Sequence, residues 1–437
     1  MSKITFGTDG IRGQVGSFPI TQACFNKVGQ ACRLWLIQQN LPLKVAIGWD
    51  TRASGKQLAE AFATGFGEEV IYLGIAPTPA ISFFTEKNGI SLGVSITASH
   101  NPYTDNGLKL FKQNGAKLRR VEEANIENLC NTIKEEICLT PAITRISGVD
   151  CYLNTFKQIL EQNSLKGKRI VLDTANGATT FTTLPLLQYL GANVIAFGKE
   201  PDGENINQNC GSEYATHLEA IVKAENAWLG FAHDGDGDRL VVIDETGQRM
   251  DGDQLLGLLA IEFKRQNLLK NDTLVVTEQS NSGLKQSLKA FGIEVQTCAI
   301  GDREVFYGLE VAQSNLGGEN SGHIILKDQA PTGDGLRVLL MLLELAATTP
   351  LCERKKAIHL NPKEEASLRV KEKIPLAQLP HLSKMKMELE KEEGRIYLRY
   401  SGTENKLRFL VEANTHELCK QRIQALQQAA SLDLDLL

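Results

Sequence analysis

LKVAIGWDTRASG (43–55) is an apolar run that ends in an acid and a turn, and it returns as KRIVLDTANGA (168–178) and DTLVVTEQSNSG (272–283). Each copy opens a helix-like segment: KQLAEAFATGF (56–66), TTFTTLPLLQYL (179–190) and LKQSLKAF (284–291). A Gly-led second strand follows in each: GEEVIYLG (67–74), GANVIAFG (191–198) and GIEVQTCAIG (292–301). A third apolar strand closes the unit: ISLGVSI before TASHNP, AWLGFAH before DGDGDR, and SNL before GGENSGH. Strands that are apolar throughout and alternate with helices predict mainly parallel sheets covered on both faces. The chain therefore reads as three related α/β domains. Ligands of open α/β sheets bind outside the carboxyl ends of the strands, so the polar loops after the third strands are the candidate site.

The remaining sequence differs in kind. RIYLRYSGTENKLRFLVEA (395–413) gives two β-rich runs around a turn, and ELCKQRIQALQQAA (417–430) is an amphipathic helix. The expected organisation is three α/β domains at 1–146, 147–250 and 251–362, then a smaller α+β domain at 363–437 around a central cleft.

At 437 residues the chain is too long for one ordinary core. A hydrophobic fraction of 42% with 23% charged residues excludes wholesale disorder and collagen-like sequence. The net charge of -5 and the lack of a basic run argue against a nucleic-acid partner. LRVLLMLLELAA (336–347), the most apolar stretch, is interrupted by Arg337 and Glu344 and is too short to span a bilayer. The N-terminus lacks the features of a secretory leader. Nine scattered cysteines without a CxxC pattern suit a reducing compartment, so a cytoplasmic location is expected.

Four loops carry the chemistry. In TASHNP (97–102), Ser99 and His100 are polar residues in a loop whose exit Pro102 fixes; taken alone, Ser99 reads better as a capping or turn serine. Lys109 follows an Asn-Gly turn. In DGDGDR (234–239), Asp234, Asp236 and Asp238 are spaced by glycines and can turn three hard oxygens toward one Mg²⁺. An EF-hand loop would need glycine where Arg239 stands, and a helix where AWLGFAH reads as a strand. In GGENSGH (317–323) glycines bracket Glu319, Ser321 and His323; a carboxylate and a hydroxyl side by side suit neighbouring sugar hydroxyls, and a glycine-rich hairpin facing water reads equally well. Arg399, Ser401, Thr403 and Arg408, with loop amides around Gly402, have the composition of a phosphate cradle. No P-loop, GxGxxG, HExxH or GxSxG motif accompanies them.

Taken in order, GTDGIRG (7–13), TASHNP, DGDGDR, GGENSGH and RYSGTEN resemble the α-D-phosphohexomutase family over essentially the whole chain. YTDNGLKLF (103–111), NINQNCGSE (205–213), IGDREV (300–305) and APTGDGL (330–336) resemble its bacterial glucosamine-phosphate branch. The resemblance implies that Ser99 carries a phosphoryl group and that Asp234, Asp236 and Asp238 hold Mg²⁺ together with the phosphoserine. It places Lys109, His323, Arg12 and His100 in proton transfer and cleft electrostatics. Arg239, Asp302, Arg303, Glu319 and Ser321 fall to the substrate, and Arg399, Ser401, Gly402, Thr403 and Arg408 to its distal phosphate.

The implied reaction interconverts glucosamine 6-phosphate and glucosamine 1-phosphate through a hexosamine 1,6-bisphosphate that also serves as activator. The partner is a small sugar phosphate, with no nucleic acid or membrane and with a homodimer as a compatible assembly. The alternatives are a phosphomannomutase/phosphoglucomutase of the same family and a non-catalytic sugar-phosphate sensor. Two positions depart from the pattern: Asn405 stands where the family commonly has proline, and Asn320 where the branch usually has glutamine. A looser clamp loop is the expectation from the first.

Overall fold

The structure is a computed structural model describing residues 3–391, 393–401 and 405–436. Its first sheet contains β1 (Ile11–Gln14), β2 (Lys44–Trp49), β3 (Glu69–Ile75), β4 (Leu92–Ile96), β5 (Asp105–Lys112) and β6 (Ala142–Arg145). They lie in the order β1-β5-β4-β2-β3-β6. The second sheet contains β7 (Arg169–Asp173), β8 (Asn193–Phe197), β9 (Leu229–His233), β10 (Leu240–Ile243) and β11 (Arg249–Met250), in the order β11-β10-β9-β7-β8. The third contains β12 (Thr273–Thr277), β13 (Glu294–Cys298), β14 (Leu316–Gly318) and β15 (Ile324–Leu326), in the order β13-β12-β14-β15.

One unit underlies all three. The strand of the repeated motif (β2, β7, β12) is central. It pairs in parallel with the second strand on one side and the third on the other. A fourth strand then returns antiparallel beside the third. TASHNP, DGDGDR and the ENSGH segment are thus the same turn of the same unit, each joining the third strand to the fourth. The central strands are buried on both faces, as their Val/Ile/Leu-rich sequences demand: Val45, Ala46, Ile47, Ile170, Val171, Leu172 and Leu274 are fully enclosed.

The last sheet is antiparallel, with β16 (Lys363–Arg369), β17 (Arg395–Tyr400) and β18 (Lys406–Glu412) in the order β16-β18-β17. The helix His416–Asp433 covers it, as the amphipathic pattern predicts, beside a second helix, Pro380–Leu389.

The cores are not partitioned sheet by sheet. One apolar cluster runs from Ile170 through Leu256 and Leu274 to Ile358, fusing the second and third units. Another joins Ala46 and Ile81 of the first unit to Tyr152, Leu186 and Leu336. The C-terminal unit keeps its own core, from Val370 to Leu434. Its seam with the third unit is polar. Ser282 N donates to Glu412 Oε2 (3.0 Å), Arg395 Nη1 to Ser280 O (2.6 Å) and Tyr397 Oη to Glu278 Oε2 (2.8 Å). Burial of apolar surface is what fuses units, so the first three form one body and the fourth is attached by hydrogen bonds.

The helix Gly335–Thr348 accounts for the most apolar stretch and is an enclosed core helix. Among the described residues no single helix is long and apolar enough to cross a membrane. All nine cysteines are free thiols.

Candidate active site

Ser99 sits just beyond β4 with φ +52°, a left-handed backbone that a non-glycine residue adopts only when its surroundings impose it. The imposing contacts are visible. Ser99 N donates to Thr97 Oγ1 (2.9 Å), and Ser99 O accepts from Arg52 Nη2 (3.0 Å) and Asn207 Nδ2 (2.8 Å). Arg52 is the hub of this loop. It is buried against Asp50, and its guanidinium also donates to the carbonyls of Asn101, Pro102 and Asp105. So fixed, Ser99 Oγ donates to Asp234 Oδ2 at 2.6 Å. His100 Nδ1 lies 3.4 Å from the same hydroxyl. Burial and the nearby Arg239 and Arg12 push the His100 pKa down to about 3, so this imidazole is neutral at physiological pH.

The three aspartates of DGDGDR converge, with one carboxylate oxygen from each lying within 4.8 Å of the others, all enclosed. Asp236 Oδ1 and Asp238 Oδ1 are buried with no hydrogen-bond partner among the described residues. Burial, together with Asp238 and Asp236, drives the Asp234 pKa well above the usual carboxylate range. Orphaned buried oxygens and mutually repelling carboxylates are the signature of a cation site, and an all-oxygen donor set fits a hard divalent ion. Lys109 Nζ reaches across from β5 to Asp236 Oδ2 (2.8 Å) and Asp238 Oδ2 (2.7 Å) and lies 3.1 Å from Asp9. Burial works to lower the Lys109 pKa, but Asp236, Asp238 and Asp9 outweigh it and hold the ammonium charged.

The sugar-loop candidates lie against this cluster. Arg239 and His323 form a backbone bridge, which sets the metal loop beside the third unit's loop. His323 is 3% exposed, and neither ring nitrogen has a hydrogen-bond partner among the described residues. Its Nε2 is 3.5 Å from Asp302 and 3.9 Å from Asp238. Burial raises the Glu319 pKa. Glu319 accepts from Gly301 N, and Ser321 Oγ is buried without a partner among the described residues. Asp302 and Arg303 begin the helix Asp302–Ala312, and their side chains are engaged by protein groups. Asp302 pairs with Lys117, and Arg303 pairs with Glu123 and Glu304. Arg12 pairs with Asp9.

In the fourth unit Arg399 and Arg408 are directly opposed across β17 and β18. They line a cleft with Ser367 and Tyr397, and Gln279 of the third unit borders it. Burial and the Arg408 charge lower the Arg399 pKa, and Arg399 Nε is buried without a partner among the described residues. Two opposed guanidiniums repel across a sheet, and an anion placed between them relieves that repulsion. Ser401 is buried beside them, its carbonyl accepting from Lys373 Nζ. Gly402 and Thr403 lie outside the described residues. Asn405 Nδ2 donates to Lys371 O (3.0 Å) and Asn405 O accepts from Val370 N (2.9 Å), so the loop base is tied to the end of β16. The looser loop expected from the loss of proline concerns residues 402–404, which lie outside the described residues.

Sequence reasoning passed over Arg52, Asp9, Lys117 and Asn207. Asp9 lies inside GTDGIRG and Asn207 inside NINQNCGSE, so both stood in quoted motifs. Arg52 and Lys117 carried no local signal beyond a charged residue in a turn.

The four-unit architecture recurs in known proteins. Models of the phosphoglucomutase/phosphomannomutase alpha/beta/alpha domains I, II and III match residues 3–137, 150–247 and 251–359, and that of the C-terminal domain matches 365–428. The chain is 38% identical to the phosphoglucosamine mutase of Helicobacter acinonychis (strain Sheeba) over 436 residues, 97% of this chain and 98% of that one. It is likewise 38% identical to the phosphoglucosamine mutase of Sulfurovum sp. (strain NBC37-1), covering 94% and 95%. The fold matches a phosphoglucomutase/phosphomannomutase family protein from Burkholderia thailandensis with a TM-score of 0.82 at 22% identity, over 98% and 97% of the two chains. With all four domain models matched in order and full-length relatives at this identity, the chain belongs to the phosphoglucomutase/phosphomannomutase family.

Proposed function

We propose that the protein is a phosphosugar mutase that interconverts glucosamine 6-phosphate and glucosamine 1-phosphate through a phosphoserine and a bound 1,6-bisphosphate. The observation that carries this reading is the Ser99 hydroxyl seated on Asp234 of an enclosed triple-aspartate cluster that still has unpartnered oxygens. The full-length relatives named phosphoglucosamine mutase support the choice of sugar. The reading divides the chain into 1–146 with the phosphoserine loop, 147–250 with the metal loop, 251–362 with the sugar loop and 363–437 with the phosphate loop. It makes the protein a cytoplasmic enzyme.

Phosphoryl transfer requires in-line positioning and neutralisation of charge more than covalent chemistry. Ser99 is fixed by hydrogen bonds to its backbone, so the Oγ that rests on Asp234 is placed to accept and release the phosphoryl group. Asp234, Asp236 and Asp238 would hold Mg²⁺, which when bound offsets the charge of the phosphoryl oxygens. Lys109 and Arg239 keep their positive charge and face the same centre. Lys109, held charged by the neighbouring carboxylates, is suited to charge balance. His323, whose ring nitrogens lack partners among the described residues, is then the group suited to taking and returning the sugar hydroxyl proton. Glu319 and Ser321 would orient the sugar hydroxyls. Arg399, Ser401, Gly402, Thr403 and Arg408 would hold the phosphate that is not reacting. Once the bisphosphate has formed, the sugar turns over and returns its other phosphate to Ser99.

The test is a ³¹P NMR assay of the phosphorylated enzyme with Mg²⁺ on glucosamine, glucose and mannose phosphates in parallel. The highest kcat/KM is expected for glucosamine phosphate. A higher value for mannose 1-phosphate moves the assignment to phosphomannomutase, and no turnover of any of the three leaves a sugar-phosphate sensor.

A further inference from the structure

We propose that Lys117 and Asp302 are positioning residues for His323: an ion pair between the first and third units sets where the imidazole stands. The proposal rests on the reading of His323 as the proton-transfer group.

Four observations carry it. Lys117 leaves the turn after β5, and its ammonium is almost fully enclosed, paired with Asp302 on one side and Asp9 on the other. Burial works to lower the Lys117 pKa, but Asp302 and Asp9 outweigh it, so the ion pair persists at neutral pH. Asp302 is fixed in its turn, with Oδ1 accepting from Arg303 N at 2.7 Å, so Oδ2 faces both Lys117 and His323 Nε2. Tyr307, one turn further along the same helix, donates to Lys117 O (3.0 Å) and fixes the backbone from which the ammonium reaches.

The ring has one further restraint. Gly333 of APTGDGL lies so close that a Cβ there would fall 2.3 Å from His323 Nε2 and 2.6 Å from Cδ2 and Cε1. The glycine forms one wall of the imidazole slot, and Asp302 stands at the nitrogen edge. A ring with no hydrogen bond to the described residues takes its position from these neighbours. Apo distances of 3.5 Å are long for a catalytic hydrogen bond and can shorten once substrate is bound. Without Lys117, Asp302 would be an unpaired buried carboxylate free to bind the imidazole directly or to turn away.

The experiment compares Lys117→Met, Lys117→Arg, His323→Gln and Glu123→Gln in the full chain. Glu123→Gln breaks the other buried ion pair between these units, Glu123 to Arg303, and serves as the control for domain packing. Steady-state kinetics are combined with NMR of [¹³Cε1]-histidine protein. The seven histidines give few signals, and the His323 peak is the one lost in His323→Gln. Lys117→Met is expected to lower kcat by about 30- to 100-fold with KM within about threefold, and to shift the His323 peak. Lys117→Arg should recover most of kcat and return the peak, while Glu123→Gln should stay within about twofold of wild type. Near-normal kcat in Lys117→Met, or a loss of kcat with the His323 peak unmoved, overturns the inference while the mutase reading stands. Full kcat in His323→Gln overturns the proton-transfer reading, and this inference with it.

Discussion

The Ser99 hydroxyl donates a 2.6 Å hydrogen bond to Asp234 Oδ2, across 135 positions of sequence and between equivalent loops of two copies of one α/β unit. The strained serine of the first copy is thereby aimed at the carboxylates of the second. The third copy supplies His323 to the same centre. Repetition of the unit explains how three sequence-distant loops meet, because each occupies the same place at the end of its own sheet.

Ser99 should therefore be the phosphorylated residue. Intact mass and peptide mapping of purified enzyme are expected to find one phosphate there. Ser99→Ala should fold normally and lose at least roughly 10³-fold in mutase activity. A fully active alanine variant would mean that the phosphoryl group never rests on this side chain.

Asp236→Asn changes charge with little change in volume. Asp236 Oδ1 is one of the two orphaned oxygens, so the variant should weaken Mg²⁺ binding in calorimetry and lower activity by roughly 10²-fold or more while the circular dichroism stays native. Unchanged metal affinity would reduce the cluster to an acidic turn.

Arg52 was not singled out from sequence, and the reason is physical. An arginine after a strand looks the same whether it faces water or collects four carbonyls, because its acceptors lie about fifty residues away. The same holds for Lys117, whose partner Asp302 is 185 positions distant. The triple aspartate was legible because its spacing is itself the geometry. The strand repeat was legible because burial on both faces writes itself into composition. Fusion of the first three cores was not legible, since an apolar residue carries no mark of which unit it packs against. The structure predicts that Arg52→Met costs about 3–5 kcal/mol, the usual loss when one member of a buried ion pair is removed. Unfolding should shift to lower urea, and phosphate occupancy at Ser99 should fall with it. Arg52→Lys should rescue little, since a point charge cannot reproduce the fork.

Asp253 offers a test by pH. It is fully enclosed beneath the seam to the fourth unit, and burial together with Asp251 raises its pKa to about 7. A carboxyl whose folded pKa exceeds its unfolded value of about 3.9 binds more protons in the native state between those limits. Its favourable contribution is complete below about pH 4 and is lost as pH rises through 7. Asp253→Asn keeps an acceptor for Asn281 N and removes the titration. Relative to wild type, the variant should gain stability on going from pH 5 to pH 8, by on the order of 1–4 kcal/mol. A difference between the two proteins that is flat with pH would show that Asp253 stays ionised throughout.

The facing arginines of the fourth unit make the most discriminating case, because they set binding against stability. Arg399 and Arg408 are cross-strand neighbours, and burial with mutual repulsion already lowers the Arg399 pKa. The two charges repel across the strands, and a bridging phosphate relieves that repulsion. Removing Arg399 should therefore leave the unliganded protein as stable as before, or slightly more so. Inorganic phosphate should raise the melting temperature of wild type and do so much less in Arg399→Ala. A mutase must hold its substrate in two opposite orientations, so one clamp serves whichever phosphate is not reacting. Loss of a charged contact of this kind costs on the order of 2–3 kcal/mol, so kcat/KM should fall by roughly 30- to 150-fold in both directions, with Mg²⁺ affinity unchanged. Because the fourth unit has its own core and a polar seam, weakened phosphate grip should also weaken its closure and release more bisphosphate before turnover is complete. Impairment in one direction only would show that Arg399 recognises a single orientation, and the symmetric clamp would have to be abandoned.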